Sequence, residues 1–450
     1  TEIYTLSLHD ALPIWSEKTN READPVWTDL RGEKIDLSKP LGVAELVTIA
    51  VQNNPETRQA WFTAKKAEAD RNASLAKWYP DISLTGSGQR TTVYSNVRAN
   101  RLYETAYSTG GVVSFLALDF GGREGAIRQA SEDLLNANLL FNQSFQDMLF
   151  NVRKAYYELN SALSDLEAKK WDLQSARTAL TASREKFRTG IVAKLDVLQT
   201  RSNFYEAYYA LETAKTNVRI QKAALAAAIG CPADVSFLIQ APAKNVSDAV
   251  TFSRVGSLIE TALEDKPEVS AKRASVRSRE AAVMAARSEL YPKVTLKAGA
   301  EKNWYGYSFA PKGAGNDTQY YGAFVVDWNI FDGYYDLNKT RAAEAAHEAE
   351  REGLRALELS VSQDVWAKYY QFKSAVRKKR FSKASLDTSQ TSYDMALESY
   401  RAGLKNILDV LQAQSDLSTA RSNLVQSQKE LYVVLADLAH AIGALGVREE

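Results

Sequence analysis

The chain is written twice. Asn54-Pro55-Glu56 returns as Lys266-Pro267-Glu268 and Tyr79-Pro80 as Tyr291-Pro292, both displaced by 212 positions. Phe187-Arg188-Thr189-Gly190, followed by Leu195-Asp196-Val197-Leu198-Gln199, returns as Tyr400-Arg401-Ala402-Gly403 followed by Leu408-Asp409-Val410-Leu411-Gln412, displaced by 213. Ala228-Ile229-Gly230 likewise returns as Ala441-Ile442-Gly443. A register kept along almost the whole of each half implies a pseudo-symmetric molecule whose halves carry the same run of elements. The expected division is an N-terminal extension over residues 1–40, a first repeat over 41–230, a linker over 231–252, a second repeat over 253–443 and a tail over 444–450. Residues 1–15 read as foreign sequence ahead of a truncated gene, without the start Met, basic segment and apolar segment of a signal peptide, and are set aside.

Each half reads as the same succession. After a short helical stretch at residues 43–51, Asn54 caps a new helix with Pro55 in its first turn; Ala60, Ala64 and Ala67 mark its close-packing face, and Pro80 stops it after Trp78. The period then changes to two. Val294, Leu296, Ala298 and Ala300 alternate with Thr295, Lys297, Gly299 and Glu301, the pattern of a strand with one apolar and one polar face. A second apolar run at residues 112–120 returns at 321–331, where Phe324, Val326, Trp328 and Ile330 form a lipid-facing row opposite Ala323, Val325, Asp327 and Asn329. Each strand is expected to be about nine to eleven residues, enough to cross a bilayer when tilted, with the polar stretches 90–110 and 303–319 as outward loops.

Residues 123–188 contain no Pro and only Gly125, so one helix of roughly 90 to 100 Å is expected. It carries a seven-residue stripe, Phe145, Val152, Leu159, Leu166, Leu173, Leu180 and Phe187. The next helix carries Val197, Phe204, Leu211, Val218 and Leu225, and its second copy Val410, Leu417, Leu424, Leu431 and Leu438. Sustained heptads mean helices packed side by side as coiled coils. Each half is therefore helix, strand, strand, very long helix, helix: four strands and six main helices in all.

The 56 basic residues balance 55 acidic ones to a net charge of +1, which removes the electrostatic case for a nucleic-acid partner. The single cysteine, Cys231, permits no disulfide framework and reads as a small residue in a helix-exit turn. His9, His347 and His440 are the only histidines, and none lies at ligand spacing from a carboxylate pair or the cysteine, so no metal, cofactor or catalytic centre is expected. No run of about 18 apolar residues exists, so a membrane is reached through strands. Four strands cannot close a barrel, and an open sheet edge in lipid strands unpaired backbone groups; three chains supply twelve strands.

The order of elements, the tandem duplication, the Asn-Pro-Glu opening, the Tyr-Pro before each first strand, the Phe120-Gly121-Gly122 exit and the Tyr-Arg-Ala-Gly…Leu-Asp-Val-Leu turn are similar to the TolC family of outer-membrane efflux proteins over residues 41–443. The resemblance implies a homotrimeric channel-tunnel in the outer membrane of a Gram-negative bacterium. Its fold would be mainly α with membrane β: long coiled-coil helices forming a periplasmic α-barrel, and four strands per chain contributing to a 12-stranded barrel held in outer-membrane lipid. Its partners would be a periplasmic adaptor (membrane fusion protein) and an inner-membrane transporter of RND, ABC or MFS type, exporting drugs, metals or proteins by efflux or type I secretion.

The two helix reversals are where such a mechanism concentrates. Gly190 and Gly403 occupy positions that favour left-handed backbone geometry. Around them Arg188, Thr189, Gly190, Ile191 and Val192, with Arg401, Ala402, Gly403 and Leu404, are the expected adaptor-docking tips; the stretches 188–193 and 401–406 bound them. Asn406 and Asp409 have the spacing of a capping box, and Asp196 has the corresponding place in the first repeat. The resemblance also transfers by position to Tyr400, Lys405, Asp409 and Gln412 as a periplasmic constriction, with Asp409 forming an acidic ring in the trimer and Lys405 pairing with an acidic neighbour. Gln412 stands where some relatives carry a second acid. The tyrosine pairs 156–157 and 369–370 are assigned to packing. The competing reading is a soluble coiled-coil scaffold, which explains the heptads but not the paired period-two segments; an enzyme finds no convergent catalytic motif.

Overall fold

The computed structural model describes residues 40–95, 100–235, 237–242, 254–307 and 314–444. Nearly all of the N-terminal extension, residues 243–252 of the linker and residues 445–450 of the tail lie outside the described residues. The elements run α1 (Val43–Asn53), α2 (Pro55–Leu75), a 3₁₀ turn (Ala76–Trp78), β1 (Asp81–Ser95), β2 (Asn100–Leu118), α3 (Gly122–Arg188) and α4 (Lys194–Ala228). The same series repeats as α5 (Val255–Asp265), α6 (Pro267–Ser288), β3 (Lys293–Tyr307), β4 (Ala314–Asp327), α7 (Tyr335–Arg401) and α8 (Ile407–Ala441). α3 and α7 are both 67 residues and α4 and α8 both 35, so the sequence repeat is a repeat of elements. Asn54 caps α2 as expected, its Oδ1 accepting from the backbone N–H groups of Glu56 and Thr57.

The chain divides into two compact units that each draw on both repeats. One comprises Thr1–Trp61, Leu140–Val269 and Leu357–Glu450, the other Phe62–Leu139 and Ser270–Ala356. In the first unit, Met148, Leu149, Val152, Tyr156 and Leu159 of α3 pack with Leu46 and Ile49 of α1 and Leu225 and Ile229. Val152, Leu159, Leu211, Val218, Leu225, Val410, Leu417, Leu431 and Leu438 of the heptad stripes are all buried. The start of the linker joins this core. Phe237 is buried, Leu41 bridges Ile239 in parallel, and the Tyr156 hydroxyl donates to the Gln240 carbonyl at 2.6 Å. Tyr157 stacks on Tyr432 with ring centroids 5.0 Å apart, so the first tyrosine pair is packing.

The second unit holds a four-stranded antiparallel sheet of order β1-β2-β3-β4. Its hairpins are longer than the sequence signal. Arg90–Ser95 and Asn100–Gly110 continue β1 and β2, and residues 303–307 and 314–319 continue β3 and β4, where long outward loops were expected. Polar residues enter both faces there, so the period-two alternation fades while the backbone ladder continues. At the other end β4 is shorter than expected. It stops at Asp327, whose partner Lys293 follows Pro292, a residue with no N–H to extend the ladder. Phe324 and Val326 therefore lie in the strand, while Trp328 and Ile330 lie beyond it, the Trp328 indole donating to the Leu290 carbonyl at 3.3 Å.

Beside the sheet, α3 and α6 approach closely at Gly125, where a Cβ would fall 2.7 Å from the Ala285 nitrogen. Ala274 and Ala281 of α6 are buried, and the flanks carry polar links: Arg277 to Glu132 at 2.9 Å, Ser278 to Asp133 at 2.6 Å and Lys272 to Glu350 at 2.8 Å. Among the described residues no helix is long and apolar enough to cross a membrane.

Candidate functional site

Cross-strand register separates the sheet into two chemically distinct faces. Ile82 and Leu84 of β1, Val113 and Phe115 of β2, Val294, Leu296, Ala298 and Ala300 of β3, and Phe324 and Val326 of β4 share one face. Ser83, Thr85 and Ser87, Ser108 and Ser114, Lys297 and Glu301, and Gln319 and Asp327 share the other, which is mainly polar with Val112, Leu116 and Val325 among them. In the single chain the apolar face is largely uncovered: Ile82, Leu84, Val113, Leu296, Phe324 and Val326 are all exposed. An exposed row of Tyr107, Trp304 and Tyr320 lies toward the hairpin ends, and Trp78, Tyr79, Phe120, Tyr291, Trp328 and Phe331 are exposed where strands meet helices. Such a face flanked by two aromatic rows is suited to hydrocarbon bounded by two interfaces. β1 and β4 are left as unpaired edges.

The helix reversals in the first unit have matched geometry. At the α3–α4 turn Gly190 has φ +75° and Ile191 N–H bonds back to the Lys186 carbonyl; at the α7–α8 turn Gly403 has φ +80° and Leu404 N–H bonds back to the Ser399 carbonyl. Both are Schellman caps, which require the left-handed residue that glycine supplies. Each places one apolar side chain in solvent, Ile191 at 68% exposure and Leu404 at 80%. Arg188, Thr189, Arg401 and Ala402 are also exposed, whereas Val192 is half-buried; Arg401 is held by Glu398 at 2.7 Å.

The expected capping box is present on α8. Asn406 Oδ1 accepts from the Asp409 N–H at 3.0 Å, and an Asp409 carboxylate oxygen accepts from the Asn406 N–H at 3.3 Å. It is absent on α4, because Ala193 occupies the capping position and offers Asp196 no partner side chain. Lys405 is exposed and makes no ion pair among the described residues. Gln412 is exposed and donates to Asp416 at 2.9 Å. Tyr400 is elsewhere: at 1% exposure it fills the core formed by Ala179, Leu397, Ile407 and Val410. Asp409 and Gln412 thus share an outer face of α8, while Tyr400 points into the bundle.

Burial pushes the Tyr400 phenol above its ordinary value, opposed by the nearby Ser183 hydroxyl and reinforced by Asp196. Among the described residues neither the Tyr400 nor the Ser183 hydroxyl has a hydrogen-bond partner. Lys186 of α3, a residue that sequence reasoning passed over, donates its ammonium to the Tyr400 carbonyl and sits 4.1 Å from the Tyr400 ring centroid. The available signal was an asymmetry: the second repeat has Ser399 where the first has Lys186. Among the described residues no group of His, Cys, Asp and Glu is arranged to hold a metal ion.

The sequence profile of outer membrane efflux proteins matches residues 46–231 and again 258–444. The chain belongs to the outer membrane efflux protein family. The double match coincides with the tandem repeat. Among relatives in this family, protein CyaE of Bordetella pertussis is 25% identical over 411 residues, covering 90% of this chain and 85% of its own. Outer membrane protein TolC of Vibrio cholerae is 23% identical over 412 residues, covering 90% and 92%. The solved structure of CusC, described in terms of transmembrane channel formation, superposes with a TM-score of 0.79 at 19% identity, over 95% of this chain and 99% of that one. The fold is thus that of an outer-membrane efflux channel, with its helical part in the periplasm.

Proposed function

We propose that the chain is the passive outer-membrane channel of a tripartite efflux or type I secretion assembly, receiving cargo from a periplasmic adaptor and an inner-membrane transporter. The observation that carries this reading is the sheet: one apolar face, one mainly polar face, and open edges at β1 and β4 among the described residues. In lipid those edges must be paired, and three copies pairing β1 of one with β4 of the next give a closed barrel of twelve strands with the polar face lining its interior. The exposed apolar residues of α4 and α7, among them Tyr205, Tyr209, Leu359, Trp366 and Phe381, supply seams between neighbouring chains in the helical part. Relatives include CyaE, a pyoverdine export protein and an alkaline protease secretion protein, which spans both small and protein cargo.

Within this reading, Ile191 and Leu404 with their flanking turns are the adaptor-docking tips, and Asp409 and Gln412 face the axis as the constriction. The transporter partner, of RND, ABC or MFS type, chooses the cargo. The test is the native mass of the chain, expressed behind a genuine signal peptide and extracted from outer membranes, with bound detergent subtracted. Three chains per particle are expected. A monomer that stays soluble without detergent would overturn the channel reading in favour of a coiled-coil scaffold.

A further inference from the structure

Partway along the helices of the first unit, one buried carboxylate is shared by two cations. Asp172 of α3 accepts from Arg421 of α8 through Oδ1 at 2.9 Å; its Oδ2 accepts from Ser418 of α8 at 2.5 Å and from Lys169 of α3 at 3.4 Å. Lys169 also donates to Ser422 of α8 at 3.1 Å, and Arg421 reaches across to the Gln390 side-chain oxygen of α7 at 3.0 Å. The charged side chains are withdrawn from solvent, Asp172 at 9%, Arg421 at 17% and Lys169 at 19% exposure. One turn nearer the tips, Asn203 of α4 donates to buried Gln414 of α8 at 3.0 Å, adding the fourth helix.

Two independent observations give this cluster a direction. First, the pseudo-symmetry fails here. The second repeat has Ser382 and Ser385 where the first has Lys169 and Asp172, and the first has Tyr205 and Tyr208 where the second has Ser418 and Arg421. The network therefore exists once per chain, between α3 and the α7–α8 pair. Second, the packing changes across it. Away from the tips α3 presents Leu149, Val152, Tyr156 and Leu159 to its core, large side chains that interlock, with Ala155 and Ala162 as the small positions among them. Toward the tips its buried positions are Ala176, Ala179, Leu180 and Ser183, three of the four small, and Tyr393, Leu397 and Tyr400 share a core with Ala179. A shallow seam slides at lower cost than an interlocked one, and a buried ion pair resists sliding because separation strands a desolvated charge.

We infer that the Asp172–Arg421–Lys169 cluster is the fulcrum of the channel's periplasmic end. It sets the register of α3 against α7 and α8 and confines their relative movement to the segment between itself and the tips, about 24 Å long from Asp172 to Arg188. Asp172 and Arg421 are positioning residues that act on the constriction through the helices and not by lining it. The inference rests on the channel reading for its consequence, but its test includes a distance measurement that does not require conduction.

Spin labels are placed in the full-length protein at the exposed positions Thr181 and Ser392, on the tip side of the cluster, and separately at Asn151 and Ser374, beyond it. Each pair is diluted with unlabelled chain. Asp172→Asn and Arg421→Gln, each alone and then together, are compared with the parent by inter-label distance and by single-channel conductance. The expected result is a broadened distribution for the tip-side pair only, raised conductance, and no further change in the double variant. Broadening of both pairs would make the cluster a general packing element, and unchanged distances would remove it from positioning; either outcome overturns the proposal. Narrowed distances without conduction in the parent would count against the channel reading and leave the register claim to be judged on the labels. The changes touch side chains only, and parent-like helix content by circular dichroism at the temperature of measurement serves as the folding control for each variant.

Discussion

At the residue scale, the ionisable groups of the first unit are set by their immediate neighbours. Burial alone raises the Asp147 carboxyl, but hydrogen bonds from His440 and Gln143 and the positive charge of His440 and Lys266 outweigh it and hold the group below its ordinary value of 3.8. A carboxyl depressed in the folded state contributes stability above its unfolded pKa and loses it as pH falls through the native one. The melting temperature should therefore fall on acidification below 3.8 in part through Asp147, and Asp147→Asn should flatten that acid limb in a calorimetric series. Burial pushes the Cys231 thiol up to about 11. Its alkylation at about pH 8 should be slow in the native protein and fast in denaturant, a difference that mass spectrometry reads directly. Cys231 closes the Schellman turn of α4, its N–H bonding to the Ala226 carbonyl, as expected for a small residue at a helix exit.

At the element scale, the sheet and the helices answer to different rules. Val113 and Ser114 are adjacent in β2 yet project to opposite faces, so one charge introduced at each distinguishes them. Val113→Arg should lower stability in lipid by about 2 to 4 kcal/mol if its face meets hydrocarbon at mid-depth, whereas Ser114→Arg should cost little. Heat-resistant oligomer in outer-membrane extracts measures both, and equal effects would show that the apolar face does not meet lipid. In the helices, Gly125 is needed for approach and Gly403 for conformation. Gly125→Ala drives a Cβ into the backbone of α6, while Gly403→Ala meets no neighbour and costs about 1 to 2 kcal/mol through its left-handed backbone alone. Urea unfolding of the two variants should rank Gly125→Ala as the more damaging.

At the scale of the whole molecule, the proposed trimer makes conduction depend on what each copy brings to one axis. Asp409 is committed locally to the capping box of α8, yet its face, shared with Gln412, remains open in the single chain. Asp409→Ala should raise single-channel conductance or relieve block by divalent cations, and unchanged conductance and block would remove it from the constriction. Because the same change also removes the cap, Asn406→Ala serves as the control. It should cost about 0.5 to 2 kcal/mol of stability with no relief of block.

Much of this architecture was legible because it rests on local periodicity written twice. The 67-residue helices, their heptad stripes, the Pro55 and Gly403 boundaries and the strand pairs all follow from patterns within a few residues of one another. The lengths of the hairpins did not, because where polar residues enter both faces a strand and a loop share much the same composition, and only backbone pairing tells them apart. The end of β4 likewise depended on where Pro292 leaves its neighbour without a donor. The pairing of β2 with β3 joins residues from different repeats, and no local signal encodes which strands become neighbours. Tyr400, assigned to the constriction by resemblance alone, lies buried against Lys186, while Asp172 and Arg421 meet across 249 positions of chain. Repetition and period determine the elements; the burial of charge, the register of the long helices and the order of the strands are decided only when distant segments exclude water from one another.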